Sequence, residues 1–288
     1  MKWQKARRGG NIQDRRGMSG GKKIAFGGIG GIVIIILGLM MGQDPSSLLN
    51  QLVQSNNSNA TQSQEYQSTP QEDQLIDFVD VVLASTEDVW TQLFNGDNLK
   101  YQKPTLSIYK DSYQTGGCGL GQAAFGPFYC PADQNIYLDL SFKQELSEKF
   151  GAKGEFALAY VIAHEVGHHV QHLLGVLDQS NALQKQNAGV SANKISVMTE
   201  LQADFYAGVW AHHVNKLTQI ELTYQDILEG MKAASSVGDD HLQEQAHGYA
   251  NPETFTHGTS EQRMYWFKKG YESGDISMGD TFNDKSLR

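Results

Sequence analysis

The stretch Glu155-Phe-Ala-Leu-Ala-Tyr-Val-Ile-Ala-His-Glu-Val-Gly-His-His-Val-Gln-His-Leu-Leu174 decides how this chain is read. It is apolar, rich in helix formers and free of proline, so it predicts a long, mostly buried helix over 155–174. Within it, His164-Glu165-Val166-Gly167-His168 sets two imidazoles at i and i+4, on one face and one turn apart. Both rings can reach a single zinc ion, and Glu165 can reach a water bound to that ion. Buried imidazoles must satisfy their ring nitrogens, and a metal does so. Gly167 costs about 1 kcal/mol relative to alanine in a helix interior. It therefore predicts a close neighbour, either substrate or another backbone. The competing reading is a core helix with hydrogen-bonded histidines.

Zinc needs a third protein ligand, with the fourth position left for water. A metzincin would carry Gly at 171 and His at 174. Gln171 and Leu174 stand there, so that class is excluded. His172 is too far along the helix to share the ion, and His169 points about 100° off the ligand face. Both read as surface or second-layer residues. The downstream segment Val197-Met-Thr-Glu200-Leu-Gln-Ala-Asp204-Phe-Tyr-Ala-Gly-Val-Trp210 is helical by period and places two acids on one face. Glu200 is the expected third ligand. Asp204, one turn on, is expected to take the N–H of a ligating histidine and so fix its tautomer. His212 and His213 are weaker candidates. The bland alternative, a solvated acidic face, fits poorly among Leu201, Ala203, Phe205 and Ala207.

A glutamate as third ligand is the gluzincin arrangement. Over nearly its whole length the chain is also similar to the bacterial neutral zinc metallopeptidases that carry a single N-terminal anchor. The resemblance rests on Met1-Lys-Trp3 with Asp14-Arg-Arg-Gly17, on Gly117-Cys118-Gly119, and on Gly126-Pro-Phe-Tyr-Cys130-Pro. It continues through Asn135-Ile-Tyr-Leu-Asp139-Leu, His164-Glu-Val-Gly-His-His169-Val-Gln, Glu200-Leu-Gln-Ala-Asp204 and Phe255-Thr-His257-Gly-Thr-Ser-Glu-Gln-Arg263. It implies one zinc ion and peptidase chemistry on a peptide or protein substrate, and it names no particular substrate.

The first 23 residues hold eight basic side chains against one acid, Asp14, a local charge of +7. The whole chain is −9, so the remainder carries −16, which is not a nucleic-acid-binding balance. Residues 24–41 are 18 residues without a charge, the lower limit for a membrane-spanning helix. Positive charge before the run predicts an uncleaved, single-pass anchor in a bacterial cell membrane, with the N-terminus cytoplasmic and the catalytic domain extracytoplasmic. A cleaved signal peptide would have an unusually long n-region and no small-residue cleavage site. Gly27 and Gly31 permit helix–helix contact in the run, a weak hint of an oligomer. Residues 42–71 read as a flexible polar tether, and 72–288 as one domain with a real core. Outside the cytoplasm, the only two cysteines, Cys118 and Cys130, would form a disulfide across a short loop.

The expected fold is α+β and zincin-like, mostly helical, with a small sheet before the metal helix. Helices are expected over 74–93, 141–150, 155–174, 195–214, 218–234 and 259–272. Strands are expected over 105–109, 128–130 and 136–140, with a glycine-rich loop over 116–127. Strand 136–140 is the candidate edge for pairing with an extended substrate; core packing of Ile136, Leu138 and Leu140 explains it equally well. In the expected mechanism Glu165 is the general base, and His257, in a polar loop opening the last helix, stabilises the oxyanion. Tyr224 and Tyr249 are lesser candidates for that role, and Glu261 and Arg263 are expected to stabilise the last helix. Two other functions fit the same residues: a zinc-stabilised scaffold that has no catalysis, and an amidase acting on cell-wall crosslinks.

Overall fold

A computed structural model describes residues 1–17, 66–123, 126–152 and 154–287. Strand β1 (Ile12–Asp14) precedes helix α1 (Pro70–Gly96), strands β2 (Thr105–Tyr109), β3 (Ser112–Gln114), β4 (Leu120–Gln122), β5 (Phe128–Cys130) and β6 (Asn135–Asp139). Seven helices follow: α2 (Phe142–Glu148), α3 (Glu155–Leu173), α4 (Val176–Gln186), α5 (Val190–Leu217), α6 (Tyr224–Ser236), α7 (Asp239–His247) and α8 (Ser260–Ser273). The fold is α+β, mostly helical with a small sheet, as its sequence pattern predicts.

Helix α5 runs through the centre and packs on α8 and α3. Glycines let these backbones meet. A Cβ at Gly167 would lie 2.8 Å from the Ala203 carbonyl oxygen. The close neighbour of that glycine is thus another backbone. Gly208 and Gly270 do the same for α5 and α8: a Cβ on either would fall about 2 Å from a carbonyl oxygen of the partner helix. Three helices start at capping boxes, α1 at Thr69 with Glu72, α6 at Thr223 with Asp226, and α8 at Thr259 with Gln262. Each box satisfies two amides that a helix start otherwise leaves unpaired.

The main sheet has the order β1-β2-β6-β5, with β1, β2 and β6 parallel and β5 antiparallel to β6. All five residues of β6 are buried, as befits an interior strand covered on both faces. The expectation that 136–140 forms an edge is therefore corrected: β2 and β5 occupy both of its sides, and among the described residues β1 and β5 are the edge strands. The glycine-rich region holds the β3–β4 hairpin instead of an unbroken loop. Helices α4 and α7 were not expected. Both are short, and only Ser180 in α4 and Asp239 and Gln243 in α7 are buried, so neither carries an apolar stripe.

The largest correction concerns residues 1–23, expected as a separate basic tail. Residues 1–17 pack on the folded domain. Trp3 is buried edge-on to Phe78, and its indole N–H donates to Glu155 at the start of α3. Arg7 and Arg8 pair with acids of α1, and Lys2 with Glu221. Arg8 forks onto Asp77, and Arg7 reaches Glu87 and Asp88. The predicted span 24–41 lies outside the described residues, as does all but the end of the tether 42–71. Among the described residues no helix is long and apolar enough to cross a membrane.

Candidate metal centre

Three side chains from two crossing helices converge. One donor atom each from His164 and His168 of α3 and Glu200 of α5 lie within 4.8 Å of one another. Glu200 Oε2 is 3.2 Å from His164 Nε2 and 3.4 Å from His168 Nε2. Two donors each about 2.0–2.1 Å from a tetrahedral zinc stand roughly 3.3–3.5 Å apart. Both Glu200 spacings fit such an ion.

The far nitrogen of each ring is already engaged. His164 Nδ1 is 2.8 Å from Asp204 Oδ1, and His168 Nδ1 is 2.9 Å from Gln171 Oε1. Each acceptor keeps the ring proton on Nδ1 and turns the Nε2 lone pair toward the other ligands. Asp204 is the acid expected for His164. Gln171 is a residue that sequence reasoning used only to exclude metzincins. Its amide also donates to the Thr199 carbonyl at 2.7 Å and to Gln202 at 3.1 Å, which ties the metal helix to α5.

Asp204 is fully buried and ties its own helix, α5, to α3 and α8. Besides His164 it accepts from the Tyr160 hydroxyl, and from Arg263 Nε at 2.8 Å and Nη2 at 3.0 Å. Burial disfavours its charge, but Arg263 and His164 outweigh that and hold its pKa at about 2. Arg263 does fix α8, as expected, yet it does so by gripping the carboxylate that orients a metal ligand. Burial likewise opposes a charge on His164, while Asp204 and Glu200 carry its pKa up to about 10. A metal entering the site must therefore displace a proton there.

Glu165 is buried beside the ligands. Burial raises its pKa against the pull of both histidines, and the nearby Tyr129 backbone amide favours its carboxylate form. Strand β5 pairs with β6 on one side only, which leaves its outer edge open, and the strand packs against α3. Tyr129 is held a second time, because its hydroxyl lies 3.0 Å from His169 Nδ1. His169 Nε2 donates to the Gln102 carbonyl at 2.6 Å, so Nδ1 is the acceptor and the tyrosine is the donor. His169 is thus a fully buried clamp, not a surface residue.

His257 sits near enough to Glu200 to feel its charge, which with Asp239 raises its pKa despite burial. Its Nδ1 is 3.0 Å from Thr256 Oγ1 and 3.4 Å from Asp239 Oδ1. Asp239 Oδ2 accepts the backbone amides of Thr256, His257 and Gly258 at 2.6, 2.7 and 3.1 Å, which fixes the whole loop. No periodic signal marks Asp239 in the sequence. The other candidates lie elsewhere. Tyr224 and Tyr249 are 72% and 68% exposed. His212 and His213 bond the Tyr271 and Gly274 carbonyls at the end of α8. Cys118 and Cys130 are joined by a disulfide, which braces the start of β6 from the hairpin side.

The family described as "Putative neutral zinc metallopeptidase" matches residues 1–282. Uncharacterized protein YpfJ of Escherichia coli K12 is 43% identical over 289 residues, covering 98% of this chain and 99% of its own. Uncharacterized protein Mb2605 of Mycobacterium bovis and Rv2575 of Mycobacterium tuberculosis are each 42% identical over 212 residues, 70% of this chain and 69% of theirs. No solved structure matches. The chain belongs to this zinc metallopeptidase family.

Proposed function

We propose that this protein is a zincin-type peptidase that hydrolyses peptide bonds with one zinc ion held by His164, His168 and Glu200. The observation that carries the reading is the pair of N···O distances at Glu200, 3.2 and 3.4 Å, which suit a shared tetrahedral ion. When bound, zinc supplies a Lewis acid and a water ionising near neutral pH.

The chain's own groups do the rest. Glu165 takes a proton from the attacking water and delivers it to the departing amine nitrogen. Its buried, raised pKa suits both halves of that task. His257, steadied by Thr256 and Asp239, donates to the oxygen of the tetrahedral intermediate. The outer edge of β5 offers backbone groups to an extended peptide, a role for 128–130 in place of 136–140. An extended peptide laid there runs past Glu165, because the Tyr129 amide lies close to that carboxylate.

Glu165→Gln should keep zinc and lose hydrolysis of a peptide library, read by product mass spectrometry. Full activity in that variant sinks the mechanism. His257→Ala should lower kcat by about 10²–10³ with zinc still bound. An unchanged rate would remove it from the chemistry.

A further inference from the structure

We propose that one face of the domain is the docking surface for the chain's own N-terminal segment, and that this docking holds both flanks of the apolar run 24–41 on the same side of a membrane. A single crossing puts the residues before and after the span on opposite faces. The fold requires the reverse.

Strand β1 lies before the run, while β2, its parallel partner, lies after it. Ile12 pairs with Leu106, and Asp14 with Ile108. The backbone of Lys2 pairs with Glu221. Trp3, before the run, is 2% exposed in the common core. Charge matches as well. Asp77, Asp80, Glu87 and Asp88 of α1 receive Arg8, the Gly9 amide and Arg7. Glu87 is buried, and it also takes the Asn11 amide at 3.2 Å. The positive charge that would favour a cytoplasmic N-terminus is therefore complementary to this acidic helix, and its presence before the run has a second explanation.

The two ends of the intervening segment also meet. A Cβ on Gly17 would lie 3.7 Å from Tyr66 Cβ, and the Arg16 guanidinium sits 4.7 Å over the Tyr66 ring. Arg16 further reaches Ser68 at 3.2 Å. Chain that leaves at 17 thus returns at 66 to the same spot. The occupant is the segment of the same chain: a single crossing would deny the surface to the N-terminus of every copy in the same orientation.

Two measurements on the full chain in bacterial membranes test this. New thiols are placed singly at exposed sites, Lys5→Cys and Tyr249→Cys, with Cys118 and Cys130 changed to alanine. They are then treated with a membrane-impermeant maleimide before and after permeabilisation. Both should label in intact cells, or both only after permeabilisation. One labelled and the other protected overturns the proposal. Independently, a permeant carbodiimide on the unsubstituted chain should join Lys2 to Glu221, whose charged atoms are 2.7 Å apart. Absence of that cross-linked peptide, where the Lys149–Glu145 link forms, also overturns it.

Discussion

Asp204 is the residue on which the site turns. One carboxylate orients His164, accepts Tyr160 and is held ionised by Arg263, all without solvent. Removing Arg263 leaves a buried, unpaired charge, a loss of about 3–5 kcal/mol. Arg263→Leu should therefore lower the urea midpoint sharply. It should also weaken zinc by about 10–100-fold, as loss of support behind a ligand does. Zinc affinity that stays level while stability falls would reduce Arg263 to a brace for α8. Gln171→Leu separates the two effects from the other side. It removes the acceptor behind His168 with no charge left over, so it should weaken zinc similarly at a smaller cost in stability. Competition with a chromogenic chelator reads both. The shared face of His164 and His168 was legible, because i,i+4 spacing is a property of one helix. Gln171 was legible only as an exclusion, since its role depends on where Thr199 and Gln202 of another helix lie.

Between elements, the coupling that matters joins β5 to α3. The Tyr129 backbone amide lies near Glu165 and its hydroxyl donates to His169, so β5 and the α3 face that carries Glu165 are held in one frame. His169 cannot titrate without breaking that frame. Burial lowers its pKa to about 4, against about 6.5 in the unfolded chain. Below pH 6.5 the unfolded state binds the proton first. The stability this histidine confers is thus complete above pH 6.5 and is lost as pH falls toward 4, on the order of 3 kcal/mol in all. His169→Gln keeps a donor for the Gln102 carbonyl and an acceptor for Tyr129. It should flatten the fall in urea midpoint between pH 7 and pH 4.5; an unchanged slope would assign the pH dependence to other groups. The sequence placed the long helices well, since α3 and α5 carry apolar residues through every turn. It missed α4 and α7, which bury too little to show a period. It left 136–140 open between an edge and a core strand, because alternation does not say which neighbours a strand has.

At the scale of the molecule, the folded unit is discontinuous in sequence: the described residues of 1–17 and 66–287 form one body. Composition divided the chain differently, into tail, span, tether and domain, because nothing local to residues 1–17 reveals that their charges have partners about 70 to 80 positions away. The two divisions predict opposite outcomes for truncation. If the domain begins near 72, a chain lacking residues 1–65 folds as well as the full one. On the discontinuous body it does not. It would expose the Phe78 face that Trp3 covers, a loss of about 1.5–3 kcal/mol for a large apolar side chain. Buried Glu87 would also lose Arg7 and the Asn11 amide and keep only Lys103, at 2.9 Å. β2 would become a bare edge. A chain that deletes only 18–65 and joins Gly17 to Tyr66 by three or four glycine and serine residues keeps all of these contacts, since those ends already touch. The internal deletion should therefore be soluble, bind zinc as the full chain does and melt cooperatively, while the terminal deletion melts far lower or precipitates. Equal melting temperatures in the two would mean that the N-terminal strand adds nothing to the domain, and the docking surface would lose its energetic basis along with it.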